Sequence, residues 1–229
     1  MAENKGVLLI PAFAVGRTQQ VLYHIRALQE AGLAPDLPVY IDSPMAVDAS
    51  RIYCRFGDDH NLDINLLMDG GACPLRCRDT HFVREVADSK ALNQMPGPAV
   101  ILSASGMLTG SRILHHLKWR LPEARNTVLF VGYQAEAPRG RALLEGAKSL
   151  RIHGEQVTVC AQIARIEALS GHAGQDELLR WLGGLQRPPS QVYLVHGEPS
   201  ASQELERQIR SRLGYRTDIA SEGMTVELK

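Results

Sequence analysis

The 229-residue sequence has no long apolar run, no surplus of either charge and only four cysteines, and no internal repeat or low-complexity tract is visible in it. Each shortage excludes something. No apolar stretch approaches the roughly 18 residues that a membrane-spanning helix needs. The opening MAENKGVLLIPAF carries too short an apolar segment, with no small-residue cleavage pattern, to read as a secretory signal, so the cytoplasm is the expected compartment. Lys and Arg total 25 and so do Asp and Glu. Global electrostatics therefore give none of the basic surplus that announces many nucleic-acid binders, although a local basic groove stays open.

The cysteines, Cys54, Cys73, Cys77 and Cys160, supply no zinc-ribbon spacing. Only Cys73 and Cys77 are close, and no second Cys or His pair matches them as a structural zinc site requires. They are expected as free thiols in a long connection. No Gly-x-Gly-x-x-Gly follows the first apolar run, which disfavours a dinucleotide-binding enzyme. No Lys-Ser or Lys-Thr follows the later glycines, so no Walker A loop is present.

What is present is an alternation of short β-like runs with helical stretches. Strands are expected at Val7–Ala12, Val39–Ile41, Ala99–Ala104, Thr127–Val131 and 191–195, with two more near 216–220 and 224–228. Helices are expected after Gly16, from Ser111 to about Leu121, from about Gly140 to Ala147, and over 175–185 and 200–213. At Asp42-Ser43-Pro44, Ser43 or Asp42 serves as cap and Pro44 as first helical residue. Residues 57–96 read as loops with one or two short helices. Leu150–Ile152 and Gln156–Ile166 read as a hairpin turning at HGEQ. Strands alternating with helices imply βαβ units and a mostly parallel α/β sheet, and the hairpin marks the best boundary between two units.

Three stretches carry chemistry. SASGMLTGSR, Ser103 to Arg112, joins a strand to a helix, where open α/β sheets usually bind ligands. Ser103, Ser105 and Thr109 offer hydroxyls, Gly106 and Gly110 allow close backbone approach, and Arg112 adds charge beside the amides of a helix start. The alternative is that the loop merely caps its helix. In APRGR, Arg139 and Arg141 suit bidentate phosphate contact or are simply solvated. The third stretch holds two histidines. His172 sits in Ser-Gly-His-Ala-Gly before a helix, where amides can hold a phosphate while imidazole donates a proton to a leaving oxygen. His196 ends an apolar run, where it can ligate a metal, and Glu198 either orients it or, with Pro199, starts the next helix. For either histidine taken alone, structural hydrogen bonding is the commoner role. His115 and His116 are adjacent and face different directions on their helix. Gly57-Asp58-Asp59-His60 reads as solvated.

The stretches LLIPAFAVGRTQQVLYHI, PVYIDSPMA, VILSASGMLTGSRILHHL, VLFVGYQAEAPRGRALLEGAKSLRIHGE, SGHAGQDELL and VYLVHGEPSASQELERQI resemble, in order and over nearly the whole chain, the β-CASP family of metallo-β-lactamase-fold nucleases. The resemblance implies a fold of two parts. Residues 1–165 are a parallel-sheet, three-layer β-CASP domain that clamps RNA. Residues 166–229 are a C-terminal segment of the metallo-β-lactamase domain. It implies His172 as the acid beside the scissile phosphate, with Ser170 and Gly171 at that phosphate, and His196 as a ligand of a dinuclear zinc site. Histidine in the last position accompanies RNA-processing members.

Two local departures stand out: Gly174 replaces the Asp common two residues after the first histidine, with Asp176 as a substitute, and APRGR replaces the more usual GTLGR. A larger one concerns metal. The family builds its two-zinc site mainly from His-x-His-x-Asp-His, whereas no two histidines here are two residues apart. A catalytic zinc needs about three protein ligands and a water. The expectation is therefore part of a zinc-dependent RNA hydrolase, inactive and poor in zinc when isolated, whose partner is the other lactamase half in cis or in trans. The alternative is a free-standing RNA- or phosphate-binding module. Apolar faces in the last ~65 residues are expected to lack a partner sheet and to be covered by a second copy, rearranged or poorly ordered.

Overall fold

The computed structural model describes residues 1–56, 73, 75–134, 139–167, 169 and 172–227. The chain divides into two compact units, Met1–Gly171 and His172–Lys229.

Unit 1 is built on a six-stranded sheet in which every neighbouring pair is parallel. In spatial order the strands are β3 (Thr80–Phe82), β2 (Val39–Asp42), β4 (Ala99–Ser103), β1 (Val7–Pro11), β5 (Thr127–Val131) and β8 (Gln162–Ile166). Because side chains alternate across a strand, Val7 and Leu9 of β1 enter one core while Ile10 enters the other. The first core packs Ile101, Val128 and Phe130 against α3 (Val86–Leu92), α4 (Arg112–Arg120) and α5 (Arg139–Leu144). The second packs Val39, Ile41, Val100 and Leu102 against α1 (Arg17–Glu30) and α2 (Pro44–Arg55). A sheet with helices on both faces needs near-continuous apolar strands, and all five residues of β4 are buried.

Several local expectations are met and some are corrected. Pro44 opens α2 and Ser43 is its cap, accepting the Ala46 N–H at 3.3 Å, which leaves the Asp42 carboxyl free for other use. The run Gln156–Ile166 is two strands, not one. β6 (Ser149–Ile152) and β7 (Glu155–Thr158) pair antiparallel around His153-Gly154, both at positive φ, and β8 then returns to the main sheet beside β5. The hairpin is thus an excursion within unit 1. The described part of 57–96 contains β3 and α3, and Gly57–His60 lies outside the described residues. The cysteine expectation is overturned for Cys73, which is bonded to Cys54 with a Cα–Cα distance of 5.2 Å. Close spacing to Cys77 was the wrong guide, because the partner stands at the end of α2. Cys77 is a free, buried thiol, and burial pushes its pKa up to about 11.

Unit 2 has α6 (Gln175–Gly183), α7 (Pro199–Leu213) and a parallel pair, β9 (Val192–Leu194) with β10 (Thr217–Ile219). No strand forms over 224–227, against expectation. Its buried apolar set is Leu179, Leu182 and Ile209. Trp181 is 69% exposed and Val195 71%, so the expected apolar surface is present. Among the described residues no helix is long and apolar enough to cross a membrane.

Candidate functional site

In an all-parallel sheet the loops leaving the strands' carboxyl ends gather at one edge, and there most of the predicted unit 1 site residues lie. The centre of that edge is a buried polar network around Asp42, the last residue of β2. One carboxylate oxygen accepts from Ser89 Oγ at 2.6 Å and lies 2.7 Å from His116 Nε2; the other accepts from Arg112 Nη1 at 2.7 Å. His116 Nδ1 lies 2.7 Å from Asn93 Oδ1. Both Asp42 and His116 are wholly buried. Burial alone would raise the Asp42 pKa. The hydrogen bonds from His116, Ser89 and Arg112, with the His116 charge, outweigh it and hold the carboxyl below its ordinary 3.8.

This network reassigns two of the predicted phosphate ligands. Arg112 also donates to Val83 O at 3.3 Å and to Arg84 O at 2.7 Å, so its guanidinium is spent inside the fold. Ser103 is buried and its hydroxyl donates to Asp42 O at 2.9 Å. Ser105 and Thr109 stay nearer the surface, with their hydroxyls 3.1 Å apart and the Thr109 N–H donating to Ser105 Oγ at 3.3 Å. Gly106 does admit a close approach, but by Phe13 of the same chain: a Cβ there would stand 3.3 Å from the Phe13 ring and backbone nitrogen. Gly110 faces open space. The amides at the start of α4 are partly used, since Ile113 N donates to Ala104 O at 3.2 Å.

Arg139 starts α5 and donates to Leu108 O at 3.2 Å and Arg151 O at 3.0 Å, tying that helix to the Ser103–Arg112 loop. Arg141 pairs with Glu145 at 2.7 Å, one helical turn on. Gln134 Nε2 donates to Gly106 O at 2.9 Å from the neighbouring loop. Ser170 and Gly171 lie outside the described residues.

The two singled-out histidines belong to unit 2. His172 is exposed just before α6, whose cap is Gly174. A glycine has no side chain to cap with, and Glu177 takes part of the task by accepting the Gly174 N–H at 2.7 Å. Asp176 pairs instead with Arg212 at 3.2 Å. His196 is exposed beyond the end of β9 with a left-handed φ of 64°. Glu198 is the cap of α7, with Pro199 as its first residue. Among the described residues no group of three or more His, Cys, Asp or Glu is placed to hold a metal ion. A catalytic zinc needs about three protein ligands, so the described donor set does not by itself fit one.

Sequence reasoning missed Asp42, Ser89, Asn93 and His116. A signal was available: Arg112, His116 and Arg120 recur every fourth residue and so line one face of α4, where three polar side chains in register call for buried partners. Arg120 has them in Leu92 O and Met95 O, at 2.6 and 2.7 Å.

Comparison with known families gives a match to the Beta-Casp domain over residues 18–143 and to the Zn-dependent metallo-hydrolase RNA specificity domain over 156–220. Similar proteins include Ribonuclease TTHA0252 of Thermus thermophilus, 42% identical over 193 residues, which are 84% of this chain and 43% of that protein. Transcription termination factor FttA of Methanosarcina mazei is 30% identical over 237 residues, 99% of this chain and 36% of that protein. An RNase J-like protein of Methanocaldococcus jannaschii is 30% identical over 196 residues, 86% of this chain and 44% of that one. The chain thus spans less than half the length of these relatives.

Proposed function

The chain belongs to the β-CASP family, and from that premise we propose that it is part of a zinc-dependent hydrolase of RNA phosphodiester bonds, acting in the cytoplasm. Residues 1–165 form the RNA-clamping domain and 166–229 a segment of the metallo-β-lactamase domain. The observation that carries this reading is the succession of two family matches along one chain, the second described as an RNA specificity domain of a zinc-dependent metallo-hydrolase. The relatives' names, a ribonuclease and a transcription termination factor, point to RNA as the substrate.

In this reading the exposed His172 donates a proton to the leaving oxygen, and amides at the start of α6 hold the phosphate. Ser105, Thr109, Arg139 and Arg141 contact the RNA backbone, while Arg112 and Ser103 hold the loop that presents it. His196 is one zinc ligand, with Glu198 beside it. Since the described donors do not complete a zinc site, the other ligands come from the His-x-His-x-Asp-His half of the lactamase domain, in the same chain or a separate one. The 229-residue protein alone binds RNA, retains zinc poorly and does not cleave.

The test is a cleavage assay on end-labelled RNA with zinc or manganese, run beside a binding titration. Retention of RNA without hydrolysis is expected, and robust hydrolysis by the isolated protein overturns the reading. The same donor set favours a second reading, a module that binds RNA or phosphate and never cleaves. Supplying the His-x-His-x-Asp-His half, fused or mixed, separates the two: restored hydrolysis supports the first and continued inactivity the second.

A further inference from the structure

Two of the exposed aromatic side chains lie on adjacent loops at the carboxyl edge of the unit 1 sheet. Phe13 follows β1 and is 50% exposed; Tyr133 follows β5 and is 49% exposed. β1 and β5 are parallel neighbours with Leu9 opposite Val128, so Phe13 and Tyr133 leave the same edge of the sheet on loops that follow neighbouring strands. Aromatic rings are scarce in this chain, at 5% of residues, and Phe130 two positions before Gly132 is wholly buried. Rings that the core could have taken are instead held at the surface.

The loops that carry them are tied together. The Phe13 ring lies against Gly106, where a Cβ would come within 3.3 Å of it. Gln134, next to Tyr133, anchors its own loop on Gly106 O at 2.9 Å. The Thr18 hydroxyl and the Thr18 N–H both donate to Phe13 O, at 2.8 and 3.2 Å, fixing the turn into α1. The turn that carries Phe13 and the loop that carries Tyr133 are thus both tied to the Gly106 loop.

Positive charge accompanies them. Arg17, the first residue of α1, carries its guanidinium beside Gly132, 3.5 Å from where a Cβ would stand. Its hydrogen-bond partner is the neutral Gln20 Oε1 at 3.2 Å, and partial burial lowers its pKa. Arg139 bonds only carbonyl oxygens in its described contacts. Among the described residues no carboxylate pairs with either, whereas Arg26, Arg78, Arg112, Arg125 and Arg210 each have one. Exposed rings on neighbouring loops, with arginines at the same edge that no described carboxylate pairs with, suit single-stranded nucleic acid: each base has a π-face to stack, and each phosphate a charge to meet.

We propose that Phe13 and Tyr133 form a base-stacking platform for single-stranded RNA at the carboxyl edge of the sheet, with Arg17 and Arg139 contacting the flanking phosphates. The platform rests on the RNA-binding reading above and specifies where unpaired bases, as distinct from phosphates, are held. Stacking tolerates any base, so the platform selects for single strands without selecting sequence.

The experiment titrates the 229-residue protein into a short 5′-labelled single-stranded RNA carrying 2-aminopurine, reading anisotropy for affinity and 2-aminopurine quenching for stacking. Base–aromatic stacking is worth about 1–3 kcal/mol per base, so Phe13→Ala and Tyr133→Ala are each expected to weaken binding about 5- to 150-fold and to reduce quenching. Tyr133→Phe and Phe13→Trp keep a ring and restore both signals, which a merely structural role for these positions does not explain. Arg17→Gln weakens binding and flattens the dependence of log affinity on log salt by about one unit, with quenching kept. If the wild-type protein binds no RNA, the RNA-binding reading itself fails and the platform with it. If wild type binds and both alanine variants bind as tightly with quenching unchanged, the platform alone is overturned, and the exposed rings are left to contacts with another polypeptide.

Discussion

Units 1 and 2 are written in the same alternation of strand and helix, yet they bury apolar surface very differently. Unit 1 sets six parallel strands between helices on both faces and seals two large apolar clusters. Unit 2 seals three residues, under a pair of three-residue strands whose neighbours on the sheet are absent among the described residues. Amphipathic periodicity is enough to form elements, but independent stability depends on how many faces a sheet can cover. The polar groups follow the same division. Unit 1 can bury the charges of Asp42 and Arg120, with Arg112 part-buried beside them, because each finds partners there, whereas the charged groups of unit 2 are paired at the surface, as in Arg207 with Glu204.

The largest test of that contrast is to separate the units. Residues 1–171 alone are expected to unfold in one cooperative transition, while residues 172–229 alone show none, as read by circular dichroism against temperature and denaturant. A sharp, reversible transition in the smaller piece would erase the distinction.

A smaller effect probes the buried network. Asp42→Ala leaves Arg112 and His116 facing each other without their shared anion, and should cost about 3–5 kcal/mol in denaturant unfolding of unit 1. The same carboxyl makes stability depend on pH. Its folded pKa lies below the ordinary 3.8, so the unfolded chain takes up its proton first. The contribution is therefore complete above about pH 4 and is lost as pH falls through the folded pKa. Comparing the acid limbs of wild type and Asp42→Asn checks the sign: the variant's stability should vary less across that window.

The smallest effect sharpens the contrast from the other side. Trp181→Ser and Val195→Ser remove exposed apolar surface from unit 2 and should change unfolding free energy by no more than about 0.5 kcal/mol. Self-association in sedimentation should fall if these residues meet a second copy.

Much of this architecture was legible because it is local. Ser43-Pro44 names a helix start, the β4 run names a buried strand, and Glu198-Pro199 opens α7, one of the two roles left open for Glu198, since caps, proline and periodicity act within a few residues. The candidate site was less legible. Ser103 and Arg112 looked like surface ligands because their loop is rich in glycine and hydroxyls, and nothing within that loop announces the distant Asp42 and Val83 that draw them inward. The exposure of Phe13 was hidden for a similar reason, since it directly follows a run that reads as buried strand.

The sequence by itself determined where strands and helices alternate, that the sheet is parallel, which family the chain resembles, and that a complete zinc site lacks its usual histidine motif. Only the tertiary structure decided that Cys73 pairs with Cys54, that β8 rejoins the main sheet after the hairpin, and that Asp42 organises α3, α4 and two strand ends. The physical reason is sequence distance. Local preferences are carried by neighbouring residues, but these pairings span from 19 residues, between Cys54 and Cys73, to 74, between Asp42 and His116, and the Asp42 network forms where sheet order lays β4 directly beside β2.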